Sequence, residues 1–233
     1  MSLHPFPSRR AVLGAAAAVG VASLAGCLAF VDRPGSDPEP VTLREGFEDG
    51  DGLGEWTAHG HVGSDAGGPF RFDLGGSTDR AVEGSRSLRV FTGGEHDDGT
   101  AWVSHPVRVV AGHAYDATFS VRAWSEGESF NTVRHVVAVL SPTAPTVEGD
   151  FPEPDWNSSD RADAPVGGLR EPMDGSGEGD DPEGPGWRTY RFTWRTPELT
   201  ADTLHLAVGV SVVWETDRVD YLDDVRLDLT PVG

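Results

Sequence analysis

The chain has no lysine. All eighteen basic residues among its 233 are arginine, set against 38 Asp and Glu, and the formal net charge is −20. Without an ε-amino group, Schiff-base chemistry and lysine general bases are excluded. The acid excess argues against nucleic acid and anionic lipid surfaces as partners, because both would be repelled. Cysteine is nearly as scarce. Cys27 stands alone, so no intrachain disulfide can form. The longest weakly apolar run, Ala11 to Gly26, has sixteen residues, short of the ~20 that a spanning helix needs. No segment repeats apolar residues with a helical period. No Gly-x-Ser-x-Gly elbow and no His-Glu-x-x-His pair is present, and the mature region has no cysteine nucleophile. His59-Gly60-His61 and His96-Asp97-Asp98 lie in Gly- or Asp-rich turns without a third spaced ligand. These absences favour binding over turnover, and no catalytic residue is assigned.

What the chain does have begins at its N-terminus. Arg9 and Arg10 precede the small-residue apolar run, and Leu24-Ala25-Gly26-Cys27 closes it. A positive n-region, a short h-region and small residues at a cleavage site describe a signal peptide. Paired arginines read as a twin-arginine address, and the last four residues resemble a lipobox in which the Cys27 thiol takes a lipid. Residues 1–27 are thus an expected twin-arginine signal with lipobox. Residues 28–40, with Pro34, Pro38 and Pro40, are an expected flexible tether. The expected location is the outer face of the cytoplasmic membrane, held by a two-chain lipid on Cys27. Without residues 1–26, sixteen arginines face 38 acids, a net charge of −22. That balance resembles secreted proteins of extreme halophiles, where salt screens self-repulsion.

From Val41 onward, short β-rich runs alternate with Gly, Asp and Pro turns, as in a single all-β sandwich over 41–233. Strands are expected near 42–48, 69–74, 86–92, 101–110, 114–124, 133–141, 187–196, 203–214 and 218–229. Side-chain alternation gives three of them a face. Tyr115, Ala117, Phe119, Val121 and Ala123 point to the core, leaving Arg122 and Trp124 outward. Leu204, Leu206, Val208, Val210 and Val212 point inward, leaving His205 and Ser211 outward. Val133–Leu140 is apolar on both sides except at Arg134 and His135, the pattern of a central strand. Trp56 and Trp194 are assigned to the core. Residues 142–186 break the pattern with eight Pro, eight Gly and twelve acids against two Arg. They read as a long acidic loop insertion, either solvated or folded as a flap over a binding face, since Phe151 and Trp156 are aromatics that a linker does not need. Asn157-Ser158-Ser159 is a glycosylation sequon, expected on the surface.

Five short patterns now occur in order. They are Gly46-Phe47-Glu48-Asp49-Gly50 before Trp56; Val82-Glu83-Gly84-Ser85-Arg86-Ser87-Leu88-Arg89-Val90; Val109-Val110-Ala111-Gly112-His113-Ala114-Tyr115; Gly186-Trp187-Arg188-Thr189-Tyr190; and Val219-Asp220-Tyr221-Leu222-Asp223-Asp224-Val225. Over residues 43–229 this order resembles the galactose-binding-like jelly roll, in particular carbohydrate-binding modules of families four, nine and twenty-two. It departs from them at Ala111, where the family turn has Pro, and in the insertion. The resemblance implies a jelly-roll β-sandwich of about eight or nine antiparallel strands. It also implies a structural Ca²⁺ held by Glu48, Asp224 and the turn from Glu83 to Ser87. Elementary electrostatics agrees, because carboxylates brought together by the first and last strands call for a hard cation.

The function that follows is a cell-surface lipoprotein whose domain binds a polysaccharide or glycan. Sugar recognition needs a flat aromatic against the pyranose C–H face and polar side chains for the hydroxyls. Arg122, Trp124, His205 and Ser211, with Trp187, are the candidates on a shared sheet face, and Trp156 is a further candidate on the insertion. Two readings stand beside this one: an interaction lipoprotein that docks another envelope protein, and, less favoured, a glycan hydrolase or lyase.

Overall fold

The computed structural model describes residues 37–50, 52–63, 70–93, 99–125, 133–173, 186–213 and 217–233. Cys27, Arg9 and Arg10, and most of the tether, lie outside the described residues. The described part is an all-β sandwich of two antiparallel sheets. Its strands are β1 (Val41–Glu45), β2 (Thr57–His61), β3 (Arg71–Ser77), β4 (Ser87–Gly93), β5 (Gly99–Arg108) and β6 (Tyr115–Ser125). They continue with β7 (Val133–Ser141), β8 (Trp156–Asn157), β9 (Gly167–Pro172), β10 (Trp187–Arg195), β11 (Thr203–Val213) and β12 (Arg218–Pro231).

Sheet A runs β10-β6-β12-β4-β3, with β1 also paired to β12; sheet B runs β2-β5-β11-β7-β9-β8. Most successive strands change sheet, which is how a jelly roll wraps. β12 is the axis of sheet A. Along one edge it meets β6; along the other it meets β4 through residues 218–222 and β1 through 225–229. The register breaks between Asp223 and Arg226, where Asp224 takes a left-handed φ of 51°.

The alternation expected from sequence holds. Ala117, Phe119, Val121 and Ala123 of β6 face Leu206, Val208, Val210 and Val212 of β11 in one apolar core that also holds Trp56 and Trp194. Phe119 of β6 and Phe192 of the edge strand β10 stack with 4.8 Å between centroids. At roughly 25 cal/mol per Å² of apolar surface removed from water, this interior is the dominant stabilising term.

Among the described residues there are twelve strands where eight or nine were expected, and the insertion is not simply a loop. β8 and β9 add two strands to sheet B beside β7. Residues 148–150 and 158–160 form single 3-10 turns. Residues 174–185 lie outside the description. Composition hid β9 because Gly167-Gly168 and Pro172 leave little alternation to read. Gly168 is needed where it is: a Cβ there would lie 2.6 Å from the Ala138 carbonyl.

Candidate functional site

The residues expected to share a ligand face sit on opposite sides of the sandwich. Arg122 and Trp124 are on the outer face of sheet A, while His205 and Ser211 are on the outer face of sheet B. The outward parity of Trp124 is right, yet the ring is only 8% exposed. It packs with Trp187 and Tyr221 in a separate apolar cluster, and the guanidinium of Arg80 lies 3.5 Å from its centroid. A surface aromatic closed over by a cation is not an open sugar platform, so neither Trp124 nor Trp187 serves as one here. Arg122 is turned to Asp224, with Nε 3.4 Å from Oδ2.

The outer face of sheet B carries His59, Trp102, Gly209, Val137 and Arg170 in one row across five strands. His59 stacks on Trp102 at 5.3 Å, and Phe151 of the insertion meets the same indole edge-on at 5.2 Å. Trp102 is 1% exposed. Beside it, Glu148 Oε1 accepts from Arg170 Nη2 at 2.9 Å, and Arg170 also donates to Ser211 Oγ at 2.7 Å. The first part of the insertion therefore lies on this face, and Ser211 is a buried anchor for it, not a ligand contact. Burial holds the rings of His59 and His135 below the ordinary histidine pKa, and Arg170 adds to the effect at His135. His205 alone of the expected set remains half exposed on this side.

Trp156 packs against the main core with the Arg161 guanidinium 5.7 Å from its ring. Asn157 Nδ2 donates to Glu171 Oε1 and to the Arg191 carbonyl, and its Oδ1 accepts from the Ser159 amide. Both amide hydrogens are committed within the fold, a poor state for a glycosylation acceptor.

The expected calcium ligands converge, but their geometry does not fit a metal. Glu48 Oε1 accepts from the amides of Ser85 and Arg86, both at 2.9 Å, and Oε2 accepts from the Ser85 hydroxyl. These donors hold the Glu48 carboxyl below its usual pKa. The turn thus offers N–H groups to Glu48, where Ca²⁺ would need carbonyl oxygens. Asp224 Oδ1 lies 2.6 Å from Arg226 Nε, and Glu83 Oε2 lies 3.3 Å from Arg226 Nη2. Among the described residues, no three His, Cys, Asp or Glu side chains gather as a metal set.

A concave site does exist, at a place the sequence did not single out. A cleft of about 520 Å³ opens between β1 of sheet A and the end of β5 in sheet B. Its floor is made by the loop after β1. Phe47 turns that loop with a left-handed φ of 56°, unusual for an aromatic residue. Glu45 holds the turn from beneath: Oε1 accepts the Phe47 amide at 2.6 Å and Oε2 the Trp56 indole N–H at 3.0 Å. Phe47 and Trp56 pack at 5.8 Å, and His105 lies against the other side of Trp56 at 5.2 Å. His105 Nδ1 is shielded from solvent and has no hydrogen-bond partner among the described residues. Arg44, Asp49, Glu55 and Arg108 line the rim. Phe47 and Trp56 are 3% and 5% exposed and back the cleft from within the core, so its open surface is set by the charged groups at the mouth. Those groups can hydrogen-bond the hydroxyls of a small ligand. The sequence signal was Trp56 following the Gly46–Gly50 turn; its assignment to the core is correct and hid the fact that the same loop borders a cleft.

No protein-family model and no curated protein matches the chain. Solved structures of similar architecture are found. A carbohydrate-binding module of the β-sandwich superfamily, described for its promiscuous specificity, is 16% identical over 82% of this chain and 74% of its own, with a TM-score of 0.45. A family 22 xylan-binding module from Paenibacillus barcinonensis is 13% identical over 82% of this chain and 95% of its own, with a TM-score of 0.44. A family 61 module in complex with β-1,4-galactotriose is 13% identical over 78% and 92%, with a TM-score of 0.41. At such values the likeness is one of general architecture.

Proposed function

We propose that this chain is an exported lipoprotein, anchored through Cys27 at the outer face of the cytoplasmic membrane, whose sandwich binds a glycan without transforming it. The cleft between β1 and β5 is the observation that carries the reading. A pyranose ring fits its volume, and the charged rim formed by Arg44, Asp49, Glu55 and Arg108 offers donors and acceptors to its hydroxyls. The net charge of −20 selects neutral over anionic sugars. The exposed Arg108 supplies a hydroxyl contact at the end of β5, with His105 lining the cleft beside it.

Calorimetry in molar salt with neutral oligosaccharides chosen on a glycan array tests this. Arg108 is exposed, so Arg108→Ala is expected to keep the melting temperature and to weaken binding about tenfold, the value of one charged hydrogen bond. His105→Ala is expected to weaken binding as well, and to lower the melting temperature because its ring packs against Trp56. Binding by neither wild type nor variants, or equal binding by all, would sink the assignment. A second reading is favoured by one feature. Among the described residues, β1 pairs only with β12, so its other edge is open beside the cleft and could take an extended strand of a partner envelope protein. That reading wins if pull-down in high salt recovers a protein whose capture is blocked by proline at Leu43.

A further inference from the structure

The residues that the jelly-roll resemblance assigns to calcium are neutralised by the chain's own cations, and we infer that the Arg226 guanidinium takes the structural role of the metal. This rests on the terminal strands and is independent of any ligand in the cleft.

The need for a cation is real. β12 loses register between Asp223 and Arg226, and the break crowds Asp223, Asp224, Glu83 and Glu48 around the turn at residues 82–86. Two of these four are satisfied by backbone donors. Asp223 Oδ2 accepts from the amides of Val82 and Glu83 at 2.8 and 3.1 Å, and its Oδ1 from the Asp224 amide at 2.7 Å; Glu48 is held by Ser85 and Arg86 as described. The other two are joined by one planar group. Arg226 reaches Asp224 through Nε and Glu83 through Nη2, so a single +1 fork ties the last strand to the turn that precedes β4. Arg122 Nε, 3.4 Å from Asp224 Oδ2, brings a second positive charge to the same carboxylate. A divalent ion placed there would meet two guanidinium groups and a turn that points amides inward. Arg is suited to the task because it stays charged at every accessible pH and its fork is rigid.

The test is thermal unfolding of the wild-type protein in molar NaCl, with millimolar CaCl₂ or with EDTA, together with calorimetric titration of calcium alone. The expected results are a melting temperature indifferent to both additions and no heat of calcium binding. Arg226→Gln is expected to lower the melting temperature, since Asp224 then keeps only Arg122 and the link from β12 to Glu83 is lost. Arg226→Lys is expected to recover only part of the loss. A wild-type melting temperature that falls in EDTA, or measurable calcium binding by the wild type, overturns the inference, and so does an Arg226→Gln protein with unchanged stability. If Arg226→Gln does not fold, the wild-type titration and chelation still decide.

Discussion

Arg134 and Asp220 meet across the interior of the sandwich, with Nη1 of the arginine 2.8 Å from Oδ1 of the aspartate and both side chains almost wholly removed from solvent. Arg134 belongs to β7 in sheet B and Asp220 to β12 in sheet A, so the pair rivets one sheet to the other at one end of an otherwise apolar core. Burial pushes the Asp220 carboxyl up, while Arg134 pulls against it and Ser125 and Arg218 assist. Removing one member of such a pair leaves a buried charge alone, which typically costs about 3–5 kcal/mol. Arg134→Ala is therefore expected to be severely destabilising in denaturant titration. The double change Arg134→Met with Asp220→Leu is expected to recover most of that loss. Equal damage from single and double variants would mean that packing, not charge, governs the position.

Acid sensitivity should come in two windows. The folded-state pKa values of His135 and His59 are depressed by burial from 6.5. Their contribution to stability is fully present above that value and is lost as pH falls through the lower, folded one. Glu48 is depressed as well, by the Ser85 and Arg86 amides, so its contribution disappears at lower pH, beneath the ordinary carboxylate range. Melting temperature followed from neutral to strongly acid pH is expected to fall in both windows. His135→Gln is expected to flatten the first, and Glu48→Gln the second while lowering the neutral plateau. A Glu48→Gln protein with the wild-type acid limb would contradict this assignment.

Trp124 and Phe151 separate packing from recognition. Arg80, Trp187 and Tyr221 enclose Trp124, and Phe151 covers Trp102. Truncation of either to alanine is expected to cost about 3 kcal/mol, as for large buried aromatics. Glycan affinity should survive Trp124→Ala wherever the fold survives. Phe151→Ala should in addition shift tryptophan emission to the red as Trp102 meets water. Loss of glycan binding in a folded Trp124→Ala protein would return the site to sheet A.

The anchor is checked in the producing cell. Cys27→Ala is expected to release the domain into the medium or to stall processing, and Arg9→Lys with Arg10→Lys to leave precursor inside. Mass spectrometry finding an unmodified Cys27 at a processed N-terminus would refute lipidation.

The nine expected strands were legible because each carries a two-residue period or a continuous apolar run, and all nine exist. β2 was not, since Thr57-Ala58-His59-Gly60-His61 shows no oily face; it lies at the sheet edge, where little is buried. β8 and β9 were masked by the Pro, Gly and acid content of their surroundings. Parity correctly sent Trp124 outward but could not show that Arg80, 44 positions earlier, returns to cover it. Local patterns report the face a side chain takes, while its cover comes from long-range contacts. Arg134 and Asp220 carry a pairing signal in their parity. Asp220 shares parity with buried Leu222, and Arg134 with buried Val136, so two opposite charges at inward positions pointed to each other.

The central place of β12 has a consequence for the order in which the chain is made. Thr42 of β1 bonds to Asp228 of β12, 186 positions away, and β4 and β6 lean on the same late strand. Until β12 leaves the ribosome, sheet A has no middle, and the edges of β6, β4 and β1 stand open to pairing with other chains. Folding must therefore wait for nearly all of the domain to be synthesised, and such non-local pairing is slow. The interval between synthesis and closure of sheet A leaves those strand edges most open to wrong pairing, and truncation within β12 would remove the axis of sheet A rather than trim its edge.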